Sequence, residues 1–151
     1  MFFGSYEYII DSKGRTALPS KFKEAFGNVA YALKGYEGCL SLYTNESFEK
    51  FMTKLTSLPY EKGKARLHQR ILLSSTDELN IDKQGRLQIP QKIIKKYGFS
   101  KEIVMIGVLD HLEIWDKESY EKYLSENEEE FEKNAEDLLS NEEWLPHFSS
   151  P

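Results

Sequence analysis

The chain contains the stretch Asp11-Ser12-Lys13-Gly14-Arg15-Thr16-Ala17-Leu18-Pro19, which returns 71 residues later as Asp82-Lys83-Gln84-Gly85-Arg86-Leu87-Gln88-Ile89-Pro90. Four identities share one spacing, D-x-x-G-R-x-x-x-P. The likeness continues on both flanks, first at the same offset and then, after one inserted residue, at an offset of 72. The matching pairs are Glu7 and Glu78, Ile10 and Ile81, Phe22 and Ile93, Phe26 and Tyr97, Gly27 and Gly98, Gly35 and Gly107, Leu42 and Ile114, Tyr43 and Trp115, Phe48 and Tyr120, and Phe51 and Tyr123. The chain is therefore a tandem duplication.

Six residues of this pattern are typical of turns. An aspartate side chain accepts backbone N–H bonds within a turn, and glycine adopts positive φ angles at no steric cost. Proline ends a strand because it has no N–H to donate. We therefore expect a structural role in the turns for Asp11, Gly14, Pro19, Asp82, Gly85 and Pro90.

Each copy reads as four short strands and two helices. The predicted strands are residues 6–10, 15–18, 29–33 and 39–43, repeated as 78–81, 86–89, 102–106 and 112–115. A short helix follows each proline and ends near a glycine. An amphipathic helix closes each copy, at about 45–58 and 116–124.

Two such copies predict an α+β, β-rich fold. Four short strands cannot bury both faces of a sheet alone, so we expect the copies to interlock into one pseudo-symmetric barrel with flanking helices. The first module is expected at 5–47, with its closing helix to about 58, and the second at 76–119, with its closing helix to about 125. Residues 59–75 would form a basic helical connector, and residues 126–151 an acidic helix or tail.

The charge of the chain is unevenly distributed. Residues 1–101 hold 17 Lys and Arg against 10 Asp and Glu, a net of +7, whereas residues 102–151 hold 3 against 15, a net of −12. Because salt screens fields beyond about 10 Å, the total charge of −5 does not exclude DNA as a partner. The single cysteine, Cys39, excludes an intrachain disulfide and a cysteine-rich zinc site. With no signal-peptide pattern and no long apolar run, we expect a cytoplasmic protein.

The duplicated motif, following an N-terminal Met-Phe-x-Gly-x-Tyr-Glu, resembles the MraZ family of AbrB/SpoVT-like, swapped-hairpin DNA-binding modules. The resemblance covers about residues 1–125 and includes Gly107-Val108 and Glu113-Ile114-Trp115. It implies a transcriptional regulator of the operon for division and cell-wall genes, associated with the nucleoid. It also implies binding to short G-rich direct repeats in double-stranded DNA and assembly into a ring, with an octamer expected from the family. Activation and repression both remain open.

The same resemblance places Arg15 and Arg86 against DNA. Arginine presents a planar fork that matches the O6 and N7 atoms of guanine. Lys13 and Lys83 suit phosphate contacts, which position a protein without specifying sequence. The copies differ here, because Lys13 is matched by Gln84 and Ser12 by Lys83. A structural reading stays open, in which each Asp–Arg pair only holds its turn. We expect an ordinary solvated helix face for the four basic residues of the connector, Lys62, Lys64, Arg66 and Arg70. We expect the protein to bind no metal and no cofactor.

Two other classes of function remain open from the sequence. An enzyme would use Asp11 and Asp82 as a carboxylate pair, but a partner arginine in each turn keeps a carboxylate pKa low, and the three histidines do not recur between the copies. An AbrB-like antitoxin would bind a toxin through the acidic tail, although such antitoxins usually carry one module per chain and dimerise, whereas this chain has two. A further alternative for the acidic stretch is a contact with RNA polymerase.

Overall fold

Both copies of the repeat fold into the same series of elements in a computed structural model, which describes residues 1–140. The first copy contains β1 (Ser5–Ile9), β2 (Arg15–Ala17), α1 (Lys23–Phe26), β3 (Val29–Lys34), β4 (Leu40–Tyr43) and α2 (Asn45–Thr56). Helix α3 (Gly63–Ser74) connects the copies. The second copy contains β5 (Asp77–Asn80), β6 (Arg86–Gln88), α4 (Gln91–Lys96), β7 (Glu102–Val108), β8 (His111–Asp116) and α5 (Lys117–Asn127), and α6 (Glu130–Leu139) follows.

The strands interlock between the copies. Six of them form an antiparallel sheet in the order β1-β7-β8-β4-β3-β5, which is unchanged when the two copies are exchanged and the order is reversed. Each first strand thus pairs with the third strand of the other copy, β1 with β7 and β5 with β3. The pseudo-twofold axis passes between β4 and β8, where Ser41 faces Glu113. The predicted α+β, β-rich fold of two swapped modules is confirmed.

A second, two-stranded ribbon joins β2 to β6. The main core holds side chains from both this ribbon and the inner face of the six-stranded sheet. Because strand side chains alternate between faces, Leu40 and Leu42 of β4 belong to this core while Ser41 does not. The ribbon contributes the fully buried Leu87, and Leu18 and Ile89 follow its two strands.

A smaller core lies on the other face of the sheet, beneath α2 and α3. It contains Leu33, Tyr43, Leu55 and Leu72. Helix α2 begins with a capping box, because the Thr44 side chain accepts from the N–H of Ser47 and the Ser47 hydroxyl accepts from the N–H of Thr44. The cap fixes the start of the helix directly after β4.

One glycine match made from the sequence is displaced by one residue. Ile10 and Ile81 donate to the carbonyls of Lys101 and Asn28, which sets the offset between β3 and β7 at 73 and makes Lys34, not Gly35, the counterpart of Gly107. The two glycines also have different causes. A Cβ on Gly107 would lie 2.6 Å from the Cα of Phe3, whereas one on Gly35 would lie 2.9 Å from the hydroxyl of Ser41.

The chain divides into a compact unit, Met1–Lys117, and a second unit from Glu118 onward. Between residues 118 and 140 the second unit carries nine Asp and Glu against two Lys. Helix α6 lies in the stretch expected to form an acidic helix or tail at 126–151, and residues 141–151 of that stretch lie outside the described part of the chain. Within residues 1–140, no helix has the length and apolar character that crossing a bilayer requires.

Candidate nucleic-acid interface

The first motif forms a turn, residues 11–15, around the carboxylate of Asp11. The Oδ1 atom accepts hydrogen bonds from the backbone N–H groups of Lys13 and Arg15, both at 2.9 Å. The Oδ2 atom accepts from the Nε atom of Arg15 at 2.8 Å. Gly14 has a φ of 79°, a left-handed conformation that residues with a Cβ rarely adopt. The aspartate thus fixes both the backbone of the turn and the direction of the arginine.

The second motif, residues 82–86, repeats this arrangement. Asp82 Oδ1 accepts from the N–H groups of Gln84 at 3.0 Å and Arg86 at 2.9 Å, and its Oδ2 accepts from Arg86 Nε at 2.8 Å. Gly85 has a φ of 77°. The two copies therefore present their arginines with the same local geometry.

The two aspartates remain charged over a wide pH range. The N–H bond from Arg15 is the largest contribution that lowers the pKa of Asp11, and the N–H bond from Arg86 does the same for the pKa of Asp82. A general acid working near neutral pH needs a raised pKa instead. These carboxylates are consequently suited to accepting hydrogen bonds and not to proton transfer.

The ribbon places the two arginines on one outward face. Arg15 pairs with Gln88, Thr16 with Leu87 and Ala17 with Arg86. Thr16 and Leu87, at the centre of the two strands, are buried, at 2% and 0% exposure. Because side chains alternate between the faces of a strand, the residues on either side of these two point outward. Arg15 and Arg86 are diagonal neighbours on that face, a relation that corresponds to about 7–8 Å between Cα atoms. A two-stranded ribbon is one of the elements that fits into the major groove of DNA.

The guanidinium groups are accessible beyond their ion pairs. The side chains of Arg15 and Arg86 are 29% and 38% exposed. The Nη atoms of Arg15 meet no protein acceptor in residues 1–140, while Nη2 of Arg86 donates to Oε1 of Gln84 at 3.2 Å. Each arginine therefore keeps donor capacity that can be directed at a partner.

The surroundings of the ribbon are basic. Residues 11–26 and 82–97 together hold nine Lys and Arg against three Asp and Glu, and two of these acids are Asp11 and Asp82. Lys13 and Lys83 are exposed on the two turns, and Lys21, Lys95 and Lys96 are exposed nearby along the chain. Lys92 is bound to Asp77 at 3.2 Å. The acidic total of the chain thus coexists with a positive ribbon region.

The remaining predicted residues lie in several places. Pro19 is buried and accepts from the N–H of Phe22, and Pro90 is the N-cap of α4. Of the basic connector residues, Arg66 donates through Nη1 to the carbonyls of Tyr60 and Glu61, both at 2.9 Å, and so ties its own loop. Lys62, Lys64 and Arg70 are exposed.

Two residues near the ribbon were missed by the sequence analysis. Gln88 lies on the outward face, and its Nε2 donates to the carbonyl of Lys13 at 2.6 Å. Lys23 of α1 lies over Gly85, where an added Cβ would come within 2.8 Å of its Cδ. The alternation from Arg86 to Gln88 could have indicated Gln88, but no local pattern indicates a contact between Lys23 and Gly85.

The comparison with protein families gives a match over nearly the whole chain. The model of one family, described as "MraZ protein, putative antitoxin-like", matches residues 1–71 and again residues 72–142. The boundary between the two matches separates the two copies of the D-x-x-G-R-x-x-x-P motif.

Proposed function

The chain belongs to the MraZ family, and we propose that it is a sequence-specific, double-stranded DNA-binding regulator of transcription. One observation carries the proposal: the swapped fold brings Arg15 and Arg86, one from each copy, onto the outward face of a single two-stranded ribbon. Neither copy could form this surface alone, since each supplies one of the two strands.

Base reading would fall to the arginine forks. Asp11 and Asp82 hold the Nε atoms, so the Nη ends face a partner with little loss of rotational freedom. An arginine that donates to both O6 and N7 of guanine discriminates by about 1–3 kcal/mol. Two such arginines on one ribbon favour G-rich sites, in agreement with the family resemblance.

Phosphate contacts would come from the lysines beside the ribbon. Lys13 and Lys83 are exposed on the two turns and would fix the ribbon in the groove without reading sequence. Such contacts release counterions, so affinity falls steeply as salt rises. We expect the protein to bind DNA upstream of its own operon and therefore to associate with the nucleoid.

Several ribbons acting together would supply the remaining affinity. We propose a homo-oligomeric ring, as the family resemblance implies, in which linked modules make later contacts intramolecular. Affinity should then rise steeply with the number of operator repeats. Equal affinity for one repeat and for several would contradict this arrangement.

The test is a titration of fluorescent DNA from upstream of the operon with the wild type and with Arg15→Ala/Arg86→Ala, at several salt concentrations. We expect a loss of about 30-fold or more, because two contacts of about 1–3 kcal/mol each are removed. Arg15→Lys/Arg86→Lys keeps the charge without the fork, and should retain salt-dependent binding but lose sequence preference.

A matched control removes two cations from another surface. Lys64→Ala/Arg70→Ala, on the exposed side of α3, should leave DNA binding nearly unchanged. If it weakens binding as much as the ribbon variant does, and circular dichroism shows both folded, the contact lies on α3 and the ribbon proposal is wrong.

A second function is favoured by the family description and by the acidic second unit. An antitoxin would use residues around α6, where Glu128, Glu129, Glu130 and Glu132 are exposed, to bind a basic toxin. Changing these four glutamates to glutamine should leave DNA binding intact under either function. Only an antitoxin would thereby lose its ability to relieve the toxicity of a small protein encoded next to it.

A further inference from the structure

We infer that the ribbon reads DNA in one direction only, with the Arg15 side dominant, and that Gln88 and Gln84 set this direction. The inference rests on the proposed function and concerns how its site is divided. A pair of identical modules would read a palindrome, because the pseudo-twofold axis would make both halves of the site equal. The ribbon face breaks that symmetry: Arg15 corresponds to Arg86, but Ala17 corresponds to Gln88.

The first turn is held in place by the other copy. Gln88 Nε2 donates to the Lys13 carbonyl at 2.6 Å, and the N–H of Ile89 donates to the Gly14 carbonyl at 2.8 Å. Gly14 is buried as a result. Two hydrogen bonds between the copies therefore position the turn that presents Arg15 before any DNA is bound.

The second turn lacks both of these bonds. At the positions equivalent to Gln88 and Ile89 stand Ala17, which has no side-chain donor, and Leu18, whose N–H makes no hydrogen bond to Gly85 in the described structure. The side chain of Lys23 packs over Gly85, which is half-buried. The turn that presents Arg86 is thus supported by a flexible side chain instead of a paired backbone.

The arginine forks differ in the same direction. In both arginines the Nε atom donates to an aspartate, but Nη2 of Arg86 also donates to Oε1 of Gln84 at 3.2 Å. At the equivalent position the first turn has Lys13, which cannot accept a hydrogen bond. Arg15 therefore offers its whole outer edge to a guanine, while Arg86 must first release Gln84.

Together these differences make Arg15 the stronger reader and Arg86 the weaker one. Gln88 acts as a positioning residue through the Lys13 carbonyl, and Gln84 acts as a competitor for the fork of Arg86. A site read this way has a direction, which would account for the direct repeats that the family resemblance implies.

The test begins with selection of randomised DNA by the wild-type chain. We expect a motif without twofold symmetry. In the Arg15→Ala variant, affinity for the selected DNA should fall by about 5- to 150-fold, the range of one bidentate contact, and the fall for Arg86→Ala should be at least several-fold smaller. Equal losses, or a palindromic motif, would overturn the inference.

A symmetrised variant provides the second readout. Ala17→Gln/Gln84→Lys gives the second turn the two side chains that distinguish the first, so its selected motif should move toward twofold symmetry while the fold is kept. An unchanged directional motif from this folded variant would overturn the inference. If it does not fold, Gln88→Ala gives the opposite symmetrisation and should narrow the difference between the Arg15→Ala and Arg86→Ala losses. If the wild type enriches no sequence at all, the proposed function fails and not merely its direction.

Discussion

In the first copy the chain before β1 continues the sheet, since Phe2 exchanges two backbone hydrogen bonds with Leu109, at 2.8 and 2.9 Å. In the second copy the residue at the same place in the repeat, Leu73, lies in α3. Phe2 is 7% exposed and Leu73 is 49% exposed. The duplication has therefore kept the sheet while the segments that lead into each copy have taken different structures.

The two turns show the same division on a smaller scale. Their internal hydrogen bonds agree to within 0.1 Å, yet Gly14 packs on the backbone of Ile89 and Gly85 beneath the side chain of Lys23. Local requirements of the motif are thus met identically, and the contacts between the copies have diverged. Paired substitutions at matching positions of the repeat measure how far this divergence extends.

The largest difference between matching positions is expected for Phe2 and Leu73. The ring of Phe2 packs against Phe22 and Phe26, with centroid distances of 4.6 and 5.6 Å. Phe2→Ala should lower the free energy of unfolding by about 3 kcal/mol, near the lower end for truncating a buried phenylalanine. Leu73→Ala, at an exposed site, should change it by less than about 0.5 kcal/mol.

Urea denaturation followed by circular dichroism measures both variants, and Phe2→Leu serves as the control that refills most of the space. If Phe2→Ala and Leu73→Ala have equal effects, the N-terminal segment contributes little to the core, and the contrast between the copies does not hold at this position.

A smaller contrast is expected between the two turn glycines. Either Gly→Ala change forces a Cβ into a left-handed conformation, which costs about 1–2 kcal/mol. In Gly14→Ala the new Cβ also meets the carbonyl oxygen of Ile89, part of the backbone, whereas in Gly85→Ala it meets the movable chain of Lys23. We expect a loss of about 2–4 kcal/mol for Gly14→Ala, from the added backbone displacement, and about 1–2 kcal/mol for Gly85→Ala.

Thermal unfolding of the two variants beside the wild type gives the order. Gly85→Ala/Lys23→Ala is the matched control, because removing the lysine chain leaves only the cost of the backbone conformation. An order reversed from the expected one would mean that the second turn is the more tightly supported of the two.

Much of the fold could be predicted because its signals are local. The Asp-x-x-Gly turns, the alternation in the short strands and the prolines each depend on a few adjacent residues. The repeat added the expectation that the copies interlock, since neither buries its sheet alone. For the second copy, the alternation Arg86-Leu87-Gln88-Ile89 was present in the sequence, whereas the burial of Thr16 in the first copy was not evident from it.

What could not be predicted depends on contacts between distant segments. Gly35 and Gly107 match by residue type, but Gly107 admits the N-terminal segment, whereas Gly35 admits the side chains of Cys39 and Ser41. The hydrogen bond from Gln88 to Lys13 joins residues 75 positions apart. Neither Gln88 nor Lys23 carries a local pattern that reports its partner in the other copy.

The smallest expected effect is the pH dependence of the difference in stability between the wild type and variants in which a turn aspartate is changed to asparagine. The folded pKa values of Asp11 and Asp82 lie below their ordinary value because backbone N–H groups and the paired arginines bind the charged form. Their stabilisation is therefore complete above the unfolded pKa of about 3.9 and is lost as pH falls through the lower folded pKa. Asp11→Asn and Asp82→Asn should each be less stable than the wild type at pH 7, with a difference that shrinks below about pH 4.

Chemical denaturation from pH 7 to pH 3 measures that difference, and because the bonds within the two turns agree, the two variants should follow the same curve. A difference that stays constant down to pH 3 would mean that the charge of the aspartates does not hold the turns.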